Sequence, residues 1–332
     1  MRPPQAAPSG AAPRRRSGVP PLRAPLWALA RGVLLLCAVS VVVFAATSLL
    51  PGDAAELRAS PGATEEQIRA LREELGQDAE PWRLYLSWVG GLLGGDPGTS
   101  LVNGRPVADA VAQRLPATAT LVGGSLLLAA PAMLLLGGWA GSARRGRAVP
   151  TALLTGGAAV PTVVVAAGLA ALLSGALGWV PAVSLLPPGR PPIQSPELLV
   201  LPVLSMALPT ALFGGGLLAG AVADVVGRPH VADARRRGRP PWAVAAVDVL
   251  PFLMAPFARV LAVAAGGLIA AATVVETLFG YPGLGSLLVS SIASRDVPVV
   301  QTVALLAAAV VLAGLALADA VAGGTDPRRR TW

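Results

Sequence analysis

Of 332 residues, 54% are hydrophobic and only 13% are charged, with a net charge of +8; this is the composition of one integral membrane domain, not of soluble modules. A single Cys (Cys37) and a single His (His230) exclude an intrachain disulfide and a metal site built from thiolate and imidazole ligands. Every basic residue is Arg, which excludes a phosphate loop that needs Lys, and the positive charge reads as membrane topology, with no nucleic acid among the expected partners.

In chain order, residues 1–25 read as a disordered basic tail rich in Pro, Ala and Arg. Apolar stretches able to cross a hydrocarbon layer of roughly 30 Å fall near 28–49, 117–140, 150–177, 198–222, 253–275 and 299–322. The first is expected to be retained as a span, because its apolar run is longer than a signal-peptide core. Pro51-Gly52 stops it, and Asp53 can cap the segment after it. Within the polar segment 51–116, Thr64 and Gln67 form a capping box for an amphipathic helix through Leu75. Trp82, Tyr85 and Trp88 have the spacing of an interfacial aromatic patch, for anchoring or for docking a protein. Pro161, Pro202 and Pro209 fall in the third and fourth spans, tolerable where neighbours satisfy the freed backbone groups. Gly137 with Gly141, and Gly216 with Gly220, have the small-xxx-small spacing of close helix contact.

Segment 223–252 concentrates charge between two apolar runs. Val231–Arg237 and Pro241–Val249 can each form a short helix, with Gly238 between them free to take positive φ. A rigid turn of this kind can engage a cytoplasmic motor, and the same charge can rest on anionic lipid headgroups. Glu276, a carboxylate beside a long apolar run, either lines a translocation pathway or caps the Tyr281-Pro282-Gly283-Leu284-Gly285 turn.

Arginines fix the topology. Arg14, Arg15 and Arg16, then Arg144, Arg145 and Arg147, then Arg228, Arg235, Arg236, Arg237 and Arg239, then Arg328, Arg329 and Arg330 all fall on one side of a six-span path. By the positive-inside rule that side is cytoplasmic. The expected fold is an all-α membrane protein of six transmembrane helices, N-in and C-in, with Gly146 and Gly238 inside and Gly76 and Pro188 outside. The domain is expected over 26–323, with 51–116 extracytoplasmic, 223–252 a cytoplasmic coupling loop and 324–332 a cytoplasmic tail.

Several stretches carry a family likeness. Leu49-Leu50-Pro51-Gly52-Asp53, Tyr85-Leu86-Ser87-Trp88, Gly95-Asp96-Pro97-Gly98-Thr99-Ser100, Gly104-Arg105-Pro106-Val107 and Arg114-Leu115-Pro116-Ala117-Thr118 occur in that order. Val275-Glu276-Thr277-Leu278-Phe279-Gly280-Tyr281-Pro282-Gly283-Leu284-Gly285 and Arg295-Asp296-Val297-Pro298-Val299-Val300-Gln301 come after them. Over residues 27 to 328 the chain resembles the dipeptide/oligopeptide/nickel permeases of ABC importers, as the first of two permease subunits. Ala234, Gly238, Leu250 and Pro251 resemble the cytoplasmic coupling motif of such permeases, with Ala232-Asp233-Ala234 replacing its leading triplet and Asp248 standing where Ile would be.

The resemblance implies a transport subunit without its own ATPase site and without a cofactor in this chain. ATP and Mg would sit on two partner ATPase subunits, beside a second homologous permease subunit in the lipid bilayer of the cell membrane and beneath an extracytoplasmic substrate-binding protein. Residues expected to carry the coupling are His230, Ala234, Arg235, Arg236, Arg237, Gly238, Leu250 and Pro251. Asp96, Arg105, Glu276 and Tyr281 are the extracytoplasmic or pathway candidates. An ion-coupled secondary transporter or a non-transporting membrane scaffold are the alternatives.

Overall fold

The computed structural model describes residues 23–48, 62–74, 80–143, 148–186 and 191–324. The motif at 49–53, the arginines at 144–147 and in both tails, and positions 76, 146 and 188 lie outside the described residues. No strand occurs among the described residues. Among the described residues, three helices precede the main bundle: α1 (Arg23–Ser48), α2 (Glu65–Glu74) and α3 (Pro81–Leu93). The bundle continues with α4 (Val107–Ser142), α5 (Ala148–Ala158), α6 (Thr162–Ala176), α7 (Pro196–Val226), the short α8 (Pro229–Arg236), α9 (Pro241–Phe279), α10 (Leu284–Ala293) and α11 (Val297–Gly324). Five of these, α1, α4, α7, α9 and α11, are each long and apolar enough to cross a membrane, and the pair α5–α6 makes a sixth if taken as one span.

That pair covers the span expected over 150–177 but is sharply bent, since α5 and α6 meet at 88°. Pro161 caps α6 at φ −57°, ψ 137°. It brings no N–H to continue α5, and its ring disfavours helical geometry at Val160. Pro131, Pro202, Pro209 and Pro256 are accommodated inside continuous helices. The capping box forms as expected: the Thr64 N–H donates to Gln67 Oε1 at 3.0 Å, and the Gln67 N–H donates to Thr64 Oγ1 at 3.4 Å.

Helices α4 and α7 are the central pair, and they approach closely because small residues line the seam. A Cβ on Gly137 would lie 2.8 Å from Leu218 Cβ, and one on Gly141 would lie 2.6 Å from the Ala219 carbonyl. On the facing helix the close glycines are Gly214, against Met133, and Gly215, 2.8 Å from Leu136 Cβ. The sequence pointed instead to Gly216 and Gly220, but Gly220 has open space and Gly216 only an ordinary contact with Leu154. The seam lies one to two residues around the helix from that pair, because Leu218, Ala219 and Val222 turn the same face inward. Leu121, Leu201, Met206, Leu268 and Phe279 fill one core layer, and Met133, Ala211, Leu218 and Ala264 fill the next.

Helix α3 lies against α1. Tyr85 and Trp88 pack on Phe44 with ring centroids 5.4 and 6.0 Å away, and the Tyr85 and Ser40 hydroxyls share a hydrogen bond of 2.8 Å. Of the three expected interfacial aromatics only Trp82 is largely exposed, because the helical spacing turns Tyr85 and Trp88 onto the first span. On the other side α1 is tied to α11, where Gln301 Nε2 donates to Thr47 Oγ1 at 2.7 Å.

Candidate functional site

Two clusters stand at opposite ends of α9. At its beginning, α8 is a two-turn helix whose apolar positions Val231 and Ala234 are fully buried. They join Val222 and Val225 of α7 and Val244, Val249 and Leu253 of α9 in one core cluster. The opposite face is polar: Arg235, Arg236 and Arg237 are exposed. Gly238 ends the helix at φ 75°. Its N–H donates to Arg235 O at 3.0 Å and the Arg239 N–H donates to Ala234 O at 3.2 Å, the paired bonds of a Schellman termination that favours Gly at this position. A Cβ at Gly238 would meet nothing within 4 Å, so the backbone angle, not space, selects Gly.

Beyond the turn, the expected second helix over 241–249 is not separate. Pro241–Ala243 make one turn, Val244–Val249 a π-helical turn, and α9 runs on from Leu250 to Phe279. Pro251 brings no N–H to this register, and the Leu250 N–H reaches back five residues to Ala245 O. Leu250 is 39% exposed and Pro251 is exposed on the same stretch. His230 Nε2 lies 3.1 Å from Asp248 O. A carbonyl only accepts, so this nitrogen carries the proton.

At the far end of α9, Gly280 caps the helix in the left-handed region at φ 66°. Glu276 is fully buried. Thr118 Oγ1 of α4 donates to Glu276 Oε1 at 2.7 Å and the Ser286 N–H of α10 donates to Oε2 at 3.0 Å. Thr118 Oγ1 also accepts the Leu284 N–H at 2.7 Å. One carboxyl group thus fastens the α9–α10 turn to α4. Both turn glycines are required by space: a Cβ on Gly283 would collide with the Glu276 carboxyl group, and one on Gly285 with the Thr273 backbone. Tyr281 is fully buried and its hydroxyl donates to Ala117 O at 2.9 Å. Burial, then the neighbouring Glu276, push that phenol above its ordinary pKa, which keeps the donor protonated.

The loop between α3 and α4 reaches the same end. It closes on itself through an antiparallel bridge between Thr99 and Pro106, and the Gly98 N–H donates to Asp96 Oδ1 at 2.9 Å. Asp296, 4% exposed, holds the loop from the α10–α11 turn: its Oδ2 accepts the Ser100 hydroxyl and its Oδ1 accepts the Leu101 N–H at 3.0 Å. Asp96 and Arg105 are both exposed. The Arg105 backbone is used in the loop, its carbonyl accepting the Ser100 N–H at 2.9 Å. Thr118, Ser100 and Asp296 were not singled out from sequence as members of a site, although all three lie in the motif stretches. Among the described residues no group of His, Cys, Asp and Glu is arranged to hold a metal ion.

The comparisons with known proteins agree with this architecture. Residues 133–331 match the model of the family described as binding-protein-dependent transport system inner membrane component. A Brucella abortus protein named as a peptide transport system permease is 30% identical over 307 residues, covering 91% of this chain and 97% of that protein. A Sinorhizobium fredii protein named as a peptide ABC transporter permease is 28% identical over 304 residues, covering 90% of this chain and 96% of its own. The glutathione transport system permease protein GsiC of Escherichia coli is 30% identical over 272 residues, covering 81% and 86%.

Proposed function

We infer how this chain works from its family: it belongs to the binding-protein-dependent transport system inner membrane components and is a multi-pass permease subunit of an ATP-binding-cassette importer. Its cargo is a peptide or a related small solute, as the names of its relatives suggest. The working unit contains a second permease, two ATPases that hold ATP and Mg, and an extracytoplasmic binding protein. The chain runs N-in and C-in through six spans, with α5 and α6 together forming the third, so that the Gly238 turn faces the cytoplasm and the Glu276 clasp faces outward. Binding and closure of the ATPases push on α8, and the push passes through the buried Val231 and Ala234 side to α7 and α9. The substrate then passes from the binding protein into the cavity between the two permeases.

One observation carries this reading: a short helix with an exposed Arg face and a fully buried apolar face, ended by a Gly at φ 75°, joins two membrane-length helices. A lipid-facing basic loop needs neither the buried face nor the fixed turn. An ion-coupled secondary transporter would need an accessible carboxylate within the bundle, whereas Glu276 is fully buried with both oxygens occupied. The test is Gly238→Val, which places a β-branched residue in a left-handed conformation at a cost of roughly 1–2 kcal/mol. Insertion of the spans should be normal, while ATPase co-purification and substrate uptake fall. Wild-type levels of both, with normal insertion, would make the segment a lipid-facing loop.

A further inference from the structure

The path from the Gly238 turn into the span crosses an irregular joint. Helix α9 passes from the single turn Pro241–Ala243 through the π turn Val244–Val249 before regular α geometry begins. Val249 is displaced to φ −114°, ψ −56°, and Pro251 comes two residues later without an N–H. Wider π turns and missing backbone bonds are places where helices bend. A force applied at α8 would be lost there as bending unless something spans the joint.

Apolar packing of Val231 and Ala234 against Val249 and Leu253 covers it and carries part of the load, but such contacts are non-directional. The directional contacts converge on Asp248, within the π turn. Arg239, immediately after Gly238, places Nη1 3.1 and 3.2 Å from the two carboxylate oxygens of Asp248. The Asp248 side chain is 16% exposed and that of Arg239 47%, so one partner of the pair is shielded from water and screened less than a surface ion pair. The carbonyl of the same Asp248 accepts the His230 ring N–H from α8. Past the joint, Phe252 receives the His230 ring at 4.8 Å and the Arg228 guanidinium at 5.3 Å.

We propose that Asp248 is a positioning residue for energy coupling: through Arg239 and His230 it ties the α8–Gly238 element to the foot of α9, so that the two move as one lever across the π turn. This rests on the reading of α8 as the coupling element. The carboxylate at 248 is used by the cation at 239, while the ring donor at 230 is met by the backbone carbonyl of the same residue, so a change of the Asp248 side chain tests the Arg239 half of the tie. Because the lever is rigid, the Arg239–Asp248 contact stays closed throughout the transport cycle.

The experiment uses the whole importer, with both permeases, the ATPases and the binding protein, reconstituted in liposomes. ATP hydrolysis and substrate uptake are measured together. Asp248→Asn should leave ATPase co-purification unchanged and lower substrate taken up per ATP hydrolysed by about three- to tenfold. Arg239→Gln, a change at a half-exposed side chain, should do the same and serves if the Asp248 variant inserts poorly. Arg239→Asp with Asp248→Arg should recover most of the lost ratio, a rescue that general destabilisation would not give. In a Cys37→Ala background, Arg239→Cys with Asp248→Cys, bridged by a short bifunctional thiol reagent, should transport better bridged than unbridged. An unchanged ratio in Asp248→Asn and Arg239→Gln, or a bridge that stops uptake, overturns the tie. Gly238→Val separates this from failure of the coupling reading itself, which would show as retained ATPase binding and uptake in that variant.

Discussion

Glu276 offers the sharpest energetic test of the clasp at the far end of α9. Its two oxygens accept Thr118 Oγ1 at 2.7 Å and the Ser286 N–H at 3.0 Å, and Thr118 in turn accepts the Leu284 N–H. Glu276→Gln keeps one acceptor oxygen but presents an amide NH2 in place of the other, leaving one buried donor without a partner, at about 1–3 kcal/mol. Thr118→Val keeps the shape and removes both bonds of the hydroxyl, at a similar cost. Hydrogen bonds between membrane helices are individually worth about 0.6 kcal/mol and at most about 1.7 kcal/mol. The double variant should therefore fall short of the sum of the singles by about 1 kcal/mol, because the second change finds the shared bond already gone. The assay is reversible unfolding of the purified chain in mixed detergent micelles, run as a double-mutant cycle. Additivity within about 0.3 kcal/mol would refute the clasp. So would a Glu276→Gln protein of unchanged stability that has lost uptake, which would move this carboxyl group to the translocation pathway.

Close packing sets two more expectations. Gly141→Ala should destabilise the isolated chain by about 1–3 kcal/mol through overpacking against Ala219 and Val222, while Gly220→Ala, facing open space, should be neutral or slightly stabilising; thermal unfolding of the two variants side by side decides it. Asp296→Ala should loosen the 95–106 loop by removing the acceptors of the Ser100 hydroxyl and the Leu101 N–H, at about 1–3 kcal/mol. Faster amide exchange at Leu101, with α4 and α7 unchanged, is the expected readout.

Much of the molecule was legible because it is encoded locally. Membrane-length apolar runs, the Thr64–Gln67 box and the positive-φ glycine at 238 each depend on neighbours within a few residues. What escaped depends on distant partners. The Ser100–Asp296 pair spans 196 residues, so two motif stretches gave no sign that they hold each other. Gly216 and Gly220 satisfy the small-residue spacing, yet the helix turns Gly214 and Gly215 to α4 instead, since spacing fixes a repeat and not its rotation. The bend at Pro161 was visible as a proline but not as a right angle, because Pro202 and Pro209 sit in a continuous helix. Asp248 looked like a mere departure from the coupling motif, and only the folded turn brings Arg239 and His230 to it.

The central claim is that the exposed Arg face of α8 is the surface that meets the ATPases, and the most direct measurement is site-specific cross-linking there. Arg236, whose side chain is 82% exposed, would be changed to Cys in a Cys37→Ala background, labelled with a thiol-reactive photo-cross-linker, and illuminated in the reconstituted importer. A covalent product containing this chain and an ATPase subunit, depleted by Gly238→Val, is the predicted result. Cross-linking to lipid alone, in a complex that still binds its ATPases and transports, would contradict it.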